Sequence, residues 1–212
     1  MATPRSQRIG IWVIAIIMIC GTLGSFLAMA LSVPNQKIDQ AEQQKLNDEF
    51  QKIKTEYLAK VDAQTKELSD KYYPEFSQYS SVPAAFSSDG VKELKKNDLK
   101  VGDGEEIKTG TGYSAYYIGW NPKGVVFDQS IADGALKAPL ASGGTIAGWE
   151  EGVIGMKIGG VRELTIPSDK AYGKTGQGDD IPPNTPLKFI VMLIPKVVEV
   201  PIPDVSKYIQ QQ

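Results

Sequence analysis

The chain has 212 residues, 42% of them hydrophobic and 23% charged, and a formal net charge of −2. That balance offers no basic field for nucleic acid, and no Lys/Arg cluster is interleaved with aromatics, so nucleic-acid binding is set aside. The chain contains no histidine, which removes the Ser-His and Cys-His nucleophile pairs and the commonest metal ligand. Its one cysteine, Cys20, excludes an internal disulfide and a cysteine-based zinc site within one chain. No metal and no cofactor is expected, and no internal repeat is visible.

Met1 to Arg8 carries two arginines and no acid, and is read as a cytoplasmic N-terminus, 1–8. No charge follows until Lys37. The apolar stretch Ile11–Leu31 makes roughly 31 Å of helix, the thickness of a bilayer core, so 9–33 reads as a single membrane span with the remainder of the chain on the extracytoplasmic side. Two other readings stand beside it. One is a signal peptide cleaved at Ala28-Met29-Ala30, which would release the protein, and the other a lipid-attachment signal at Cys20.

A helical stalk is expected over 34–71, where Gln, Glu, Lys, Asp and Ala predominate. Leu46, Phe50, Ile53, Tyr57 and Val61 form a narrow apolar stripe on it, suited to pairing with a second copy as a homodimer, to clasping the globular domain, or to no partner at all. Tyr72-Tyr73-Pro74 should end this helix and open a linker, 72–89. Some of its aromatics, Tyr72, Tyr73, Phe76, Tyr79 and Phe86, should pack on the domain that comes next.

The compact domain is placed at 90–200, with a C-terminal tail at 201–212. Strands are expected at Val91–Leu94, Tyr113–Trp120, Val125–Asp128, Val161–Pro167 and Leu187–Val200, the last with an irregularity at Pro195. Ile146, Trp149, Val153 and Met156 recur at helical spacing, with Glu150-Glu151 in the first turn and Gly159-Gly160 as the stop. Asp169–Asn184, rich in Gly and Pro, should be a long loop. The fold class is therefore α+β, an antiparallel sheet of about five strands curled around one short helix, preceded by the span and the stalk.

Several stretches of this domain, in order, are Tyr116-Tyr117-Ile118-Gly119, Val126-Phe127-Asp128-Gln129-Ser130, Ile146-Ala147-Gly148-Trp149-Glu150-Glu151-Gly152, Ala171-Tyr172-Gly173, Ile181-Pro182-Pro183 and Leu187-Lys188-Phe189. In sequence and spacing the domain resembles the FKBP-type peptidyl-prolyl cis-trans isomerases. The resemblance implies a proline pocket lined by Tyr117, Phe127, Asp128, Ile146, Trp149, Tyr172, Ile181 and Phe189, with Trp149 as its floor. It also implies that the Ile146 N–H and the Tyr172 hydroxyl donate to substrate carbonyls. Thr145, beside Ile146, and Leu136, where a wall aromatic of the family falls, complete the expected substrate contacts. The implied partners are proline-containing polypeptides.

Such a site agrees with a histidine-free chain. Rotation about an X-Pro bond meets about 18–20 kcal/mol of lost amide resonance, and lowering it needs no nucleophile or proton transfer. A dry aromatic cup that favours the twisted amide over both planar forms suffices. Read without the resemblance, the same aromatics make an ordinary core and Asp128 a solvated turn carboxylate. The pattern also departs from the family. Asp133 stands where an arginine is common, which puts a like charge near Asp128, and the loop tip carries Gln177, Asp179 and Asp180, which makes an acidic rim. The reading is a tethered isomerase that assists exported or surface proteins; the alternatives are a non-catalytic proline-binding chaperone or scaffold and a purely structural stalk protein.

Overall fold

The computed structural model describes residues 40–205. The expected cytoplasmic N-terminus, membrane span and signal sites lie outside these residues. Among the described residues no helix is long and apolar enough to cross a membrane. Tyr57–Pro201 form one compact unit, to which the sheet and the candidate site both belong.

Helix α1 runs Gln40–Phe76 and contains Pro74. The expectation that Tyr72-Tyr73-Pro74 stops it is corrected. Proline costs most in a helix interior, but here the helix ends two residues later and passes into a 3-10 turn, Ser77–Ser81. Packing holds this last turn: Phe76 is fully buried, and the rings of Tyr72 and Phe76 lie 6.0 and 6.2 Å from that of Tyr116.

Among the described residues eight strands come after it: β1 Lys95–Lys100, β2 Tyr113–Trp120, β3 Val126–Gln129, β4 Ile131–Ala132, β5 Ala135–Leu136, β6 Leu140–Ala141, β7 Val161–Ile166 and β8 Leu187–Pro195. A seven-residue helix, α2, Ala147–Val153, lies between β6 and β7. The main sheet has the order β1-β7-β8-β2-β3, antiparallel throughout, with β6 pairing the start of β2, and β4-β5 form a separate hairpin. The α+β reading therefore stands, with several corrections. The first strand is Lys95–Lys100, not Val91–Leu94. It is exposed along its whole length and held by its ladder to β7, so no apolar alternation marks it. Helix α2 ends at Val153, and Gly155, at φ +81°, turns the chain there rather than Gly159-Gly160. Strand β8 stops at Pro195, short of Val200.

The sheet is buried on both faces. Along β2, Tyr113, Ala115 and Tyr117 point to one side and Tyr116, Ile118 and Trp120 to the other; along β8, Phe189, Val191 and Leu193 alternate with Ile190, Met192 and Ile194. The first face wraps α2. The second is covered by Tyr72, Tyr73, Phe76, Tyr79 and Phe86, so all five aromatics expected in the linker pack on the domain. Hydrogen bonds tie down the same strap. Trp120 Nε1 donates to Ala84 O at 3.1 Å, Phe86 N to Pro122 O at 3.0 Å, and Leu136 N to the buried Ser69 Oγ at 2.8 Å.

Helix α2 lies close against β7 because Gly148 and Gly152 face it. A Cβ on Gly148 would collide with Ile166, and one on Gly152 would come within 2.7 Å of Leu164. Its end is closed by the buried Arg162, whose Nη1 donates to the carbonyls of Gly152 (2.8 Å) and Ile154 (3.2 Å) while Nε and Nη2 grip Asp98 at 2.6 and 3.1 Å. A cation here satisfies free carbonyls and complements the negative end of the helix dipole.

Candidate functional site

Fixing α2 along its length and at its end fixes Trp149. The indole is 2% exposed, and it meets the rings of Tyr117 and Phe189 edge to face, with centroids 5.6 and 5.4 Å away and interplanar angles of 87° and 84°. Phe127 stands against Phe189 in the same manner, 5.5 Å away at 80°. Edge-to-face contacts place the positive rim of one ring on the negative face of the next, which makes a rigid aromatic wall without full closure. Gly119 provides the room: a Cβ there would lie 2.6 Å from the Phe189 ring and 2.8 Å from that of Phe127. Ile181 belongs to the same buried cluster, and Ile146, Tyr117, Phe127 and Tyr172 pack against it, half-buried.

Asp128 sits on β3 at the edge of this cup. Its Oδ2 accepts the Tyr117 hydroxyl at 2.6 Å and its Oδ1 the N–H of Gln129 at 2.8 Å. Burial, then the Asp128 charge and this hydrogen bond, push the Tyr117 phenol well above the usual range, so it remains a donor. The Tyr117 backbone is itself held, its N–H donating to Ser130 Oγ at 2.9 Å.

Ile146 caps α2 in extended conformation. Its carbonyl accepts from Trp149 N and Glu150 N, while its own N–H, ahead of the first turn, has no intrahelical partner. Thr145 directs its hydroxyl to Glu150 Oε1 at 2.6 Å, so it fastens the approach to the helix. Tyr172 and Ile181 come from the 169–184 loop, which is ordered by a bridge between Gln177 and Ile181 and by Asn121 Nδ2 donating to Asp180 O at 2.8 Å.

The structure thus gathers Tyr117, Phe127, Asp128, Ile146, Trp149, Tyr172, Ile181 and Phe189, with Thr145 beside them. Leu136 is a correction: it is 3% exposed in the cluster on the opposite face of the sheet and does not line the cup. Its register opposite Ile131 in the β4-β5 hairpin turns it that way. Asp133 is accounted for by the same hairpin, since it occupies the turn at φ +50°, a conformation that Asp tolerates, with Gly134 after it at φ +75°. Two residues were missed, Gly119 and Tyr113. Tyr113 accepts the Trp149 indole N–H at 3.1 Å, and its period-2 relation to Tyr117 along β2 was the available signal. A separate hollow of about 560 Å³ lies beside α2, bounded by Ile107, Lys108, Tyr113 and Glu151, and is lined by none of Tyr117, Phe127, Trp149 and Phe189.

The family model for FKBP-type peptidyl-prolyl cis-trans isomerases matches residues 103–194. A protein of Neisseria meningitidis serogroup A named FK506-binding protein is 45% identical over 103 residues, which cover 48% of this chain and 94% of that one. FK506-binding protein 4 of Rhizopus delemar is 43% identical over 97 residues, 46% of this chain and 25% of that one. Among solved structures, the crystal structure of AtFKBP13 is 35% identical with a TM-score of 0.44, covering 49% of this chain and 93% of that one.

Proposed function

Because the chain belongs to the FKBP-type peptidyl-prolyl cis-trans isomerases and is a peptidyl-prolyl cis-trans isomerase, we propose that the aromatic cup on α2 is where it turns the X-Pro bond. The observation that supports this most is the arrangement of Trp149 beneath Tyr117 and Phe189, with Phe127 beside them and Asp128 anchored at the edge.

In this reading the pyrrolidine ring rests on Trp149 between Tyr117, Phe127 and Phe189, and Ile146, Ile181 and Tyr172 close the sides. The Ile146 N–H and the Tyr172 hydroxyl donate to substrate carbonyls. The cup excludes water, which would otherwise hydrogen-bond the planar amide and stabilise its charge-separated resonance form. The twisted amide, with less charge separation, loses less on entering. This is differential binding of the transition state, and each 1.4 kcal/mol of it is worth about ten-fold in rate. Asp128, immobilised by two donors, presents a fixed carboxylate that orients the amide dipole. The step transfers no proton, consistent with a chain that has no histidine.

We further place the enzyme on a membrane tether at 9–33, outside the cytoplasm, with exported or surface polypeptides as clients. The uninterrupted apolar run Ile11–Leu31 with Arg5 and Arg8 before it supports this reading. X-Pro isomerisation otherwise takes tens of seconds, long enough to delay folding at such a surface. The stripe Leu46, Phe50, Ile53, Tyr57 and Val61 supports self-association through α1.

Exchange NMR on a short X-Pro peptide with the full chain tests the site. Cis and trans lines should exchange rapidly with the unmodified protein and not with Trp149→Ala. Fast exchange with Trp149→Ala would move the site elsewhere. Fractionation of cells, with protease added from outside, tests the tether: the protein should sediment with membranes and be digested.

A further inference from the structure

A buried contact at the floor of the cup bears on how well the cup is formed. We propose that Tyr113 is a positioning residue for isomerisation, acting through Trp149, a role that rests on the cup being the proline site. The indole has one polar atom, and with Trp149 2% exposed that N–H needs a partner inside the protein. Tyr113 Oη is that partner, at 3.1 Å, and is itself 3% exposed. It meets the indole at its nitrogen and is buried there, so it orients the floor without reaching the peptide.

The geometry gives the bond leverage. Tyr117 and Phe189 press on the indole at nearly right angles, but apolar edges resist sliding weakly. A hydrogen bond at Nε1 fixes the remaining freedom, the tilt of the ring in its own plane. Tyr113 is a suitable anchor because its backbone is clamped, with Ser142 N donating to its carbonyl at 3.0 Å and its own N–H to Ser142 Oγ at 3.3 Å. Burial pushes the phenol up to about 12, so it stays protonated wherever the enzyme works. It stands four residues before Tyr117 on the same side of β2, so floor and wall are set by one strand.

A double-mutant cycle in the full chain tests this. Tyr113→Phe keeps the ring and removes only the acceptor, and it should lower kcat/KM for an X-Pro peptide about ten-fold, as a floor displaced by less than about 1 Å would. Trp149→Phe removes the donor; on that background Tyr113→Phe should change kcat/KM less than about two-fold. An equal loss on both backgrounds would make Tyr113 a packing residue and overturn the proposal, as would no loss in either. An unmodified chain without turnover would instead defeat the reading of the cup itself. If Tyr113→Phe does not fold, hydrogen exchange of the Trp149 indole in the unmodified chain decides, its resonance assigned by its disappearance in Trp149→Phe. Slow exchange supports the bond, and exchange as fast as that of a free indole refutes it.

Discussion

Replacing Phe76 by alanine asks whether the last turns of α1 belong to the isomerase domain or merely lead to it. Phe76 is 0% exposed and packs its ring 6.0 Å from Tyr79 and 6.2 Å from Tyr116, over the face of β2 and β8 that turns away from the cup. Truncating a buried phenylalanine costs about 3–5 kcal/mol, the lost transfer energy plus the cavity. Native domains have about 5–15 kcal/mol in total. At about 2–4 °C per kcal/mol for a domain of this size, Tm should fall by about 6–20 °C. Urea titration of Phe76→Ala against the unmodified chain, followed by far-UV circular dichroism, measures it. The substitution lies outside the cup, so the folded fraction should keep its turnover. A loss below about 1 kcal/mol would refute the assignment of the strap to the core. By the same reasoning a fragment starting at Ser88 would expose Tyr116, Ile118, Trp120, Ile190, Met192 and Ile194 together, and should aggregate.

Gly119→Ala should spare the fold and reduce turnover about ten-fold or more, because the new Cβ would lie 2.6 Å from Phe189 and 2.8 Å from Phe127 and must move a cup wall; steady-state kinetics beside a thermal melt separate the two effects. Tyr116→Phe should stabilise the protein by about 1 kcal/mol, seen as a rise in Tm, since the Tyr116 hydroxyl is buried without a hydrogen-bond partner among the described residues. Stability should also fall in alkali. Burial raises Tyr113 to about 12 and raises Tyr116 and Tyr117 as well, whereas unfolded tyrosine ionises near 10. Below about pH 10 both states hold these protons and stability is full; above it the unfolded state releases them first, so stability is lost as pH rises toward the folded values. Melts between about pH 8 and 12 would show a flat Tm followed by a decline, and a Tm flat to about pH 12 would contradict the burial.

Much of the domain was legible because its elements carry their period in apolar residues. Strands β2, β7 and β8 and helix α2 could be read that way, and Trp149 could be placed on a core-facing helix. Strand β1 could not, since Lys95–Lys100 is an exposed charged edge specified by long-range partners: its ladder to β7, the Asp98–Arg162 pair across 64 residues, and the contacts of Lys96 with Glu151 O and of Lys100 with Glu75. Pro74 misled because local propensity ends a helix there, while the contacts of Phe76 and Tyr72 with a distant strand keep it. The two-residue strands β4, β5 and β6 are too short for any period to be seen, and with them went the direction in which Leu136 faces. In the site, the rings were legible and their supports were not. Gly119 matters for the side chain it lacks, and Tyr113 for a bond to a helix residue 36 positions away.

If the Trp149 cup turns the X-Pro bond by sheltering a twisted amide, its wall and its edge must both matter to the rate. The most direct test is the cis-to-trans rate of a short X-Pro peptide with the full chain, Phe127→Ala and Asp128→Ala in parallel, with peptide affinity measured on the same samples. The unmodified chain should accelerate the exchange, and both variants should show a fall in kcat/KM of about ten-fold or more with folding intact. Turnover undiminished in both variants would contradict the role of the cup.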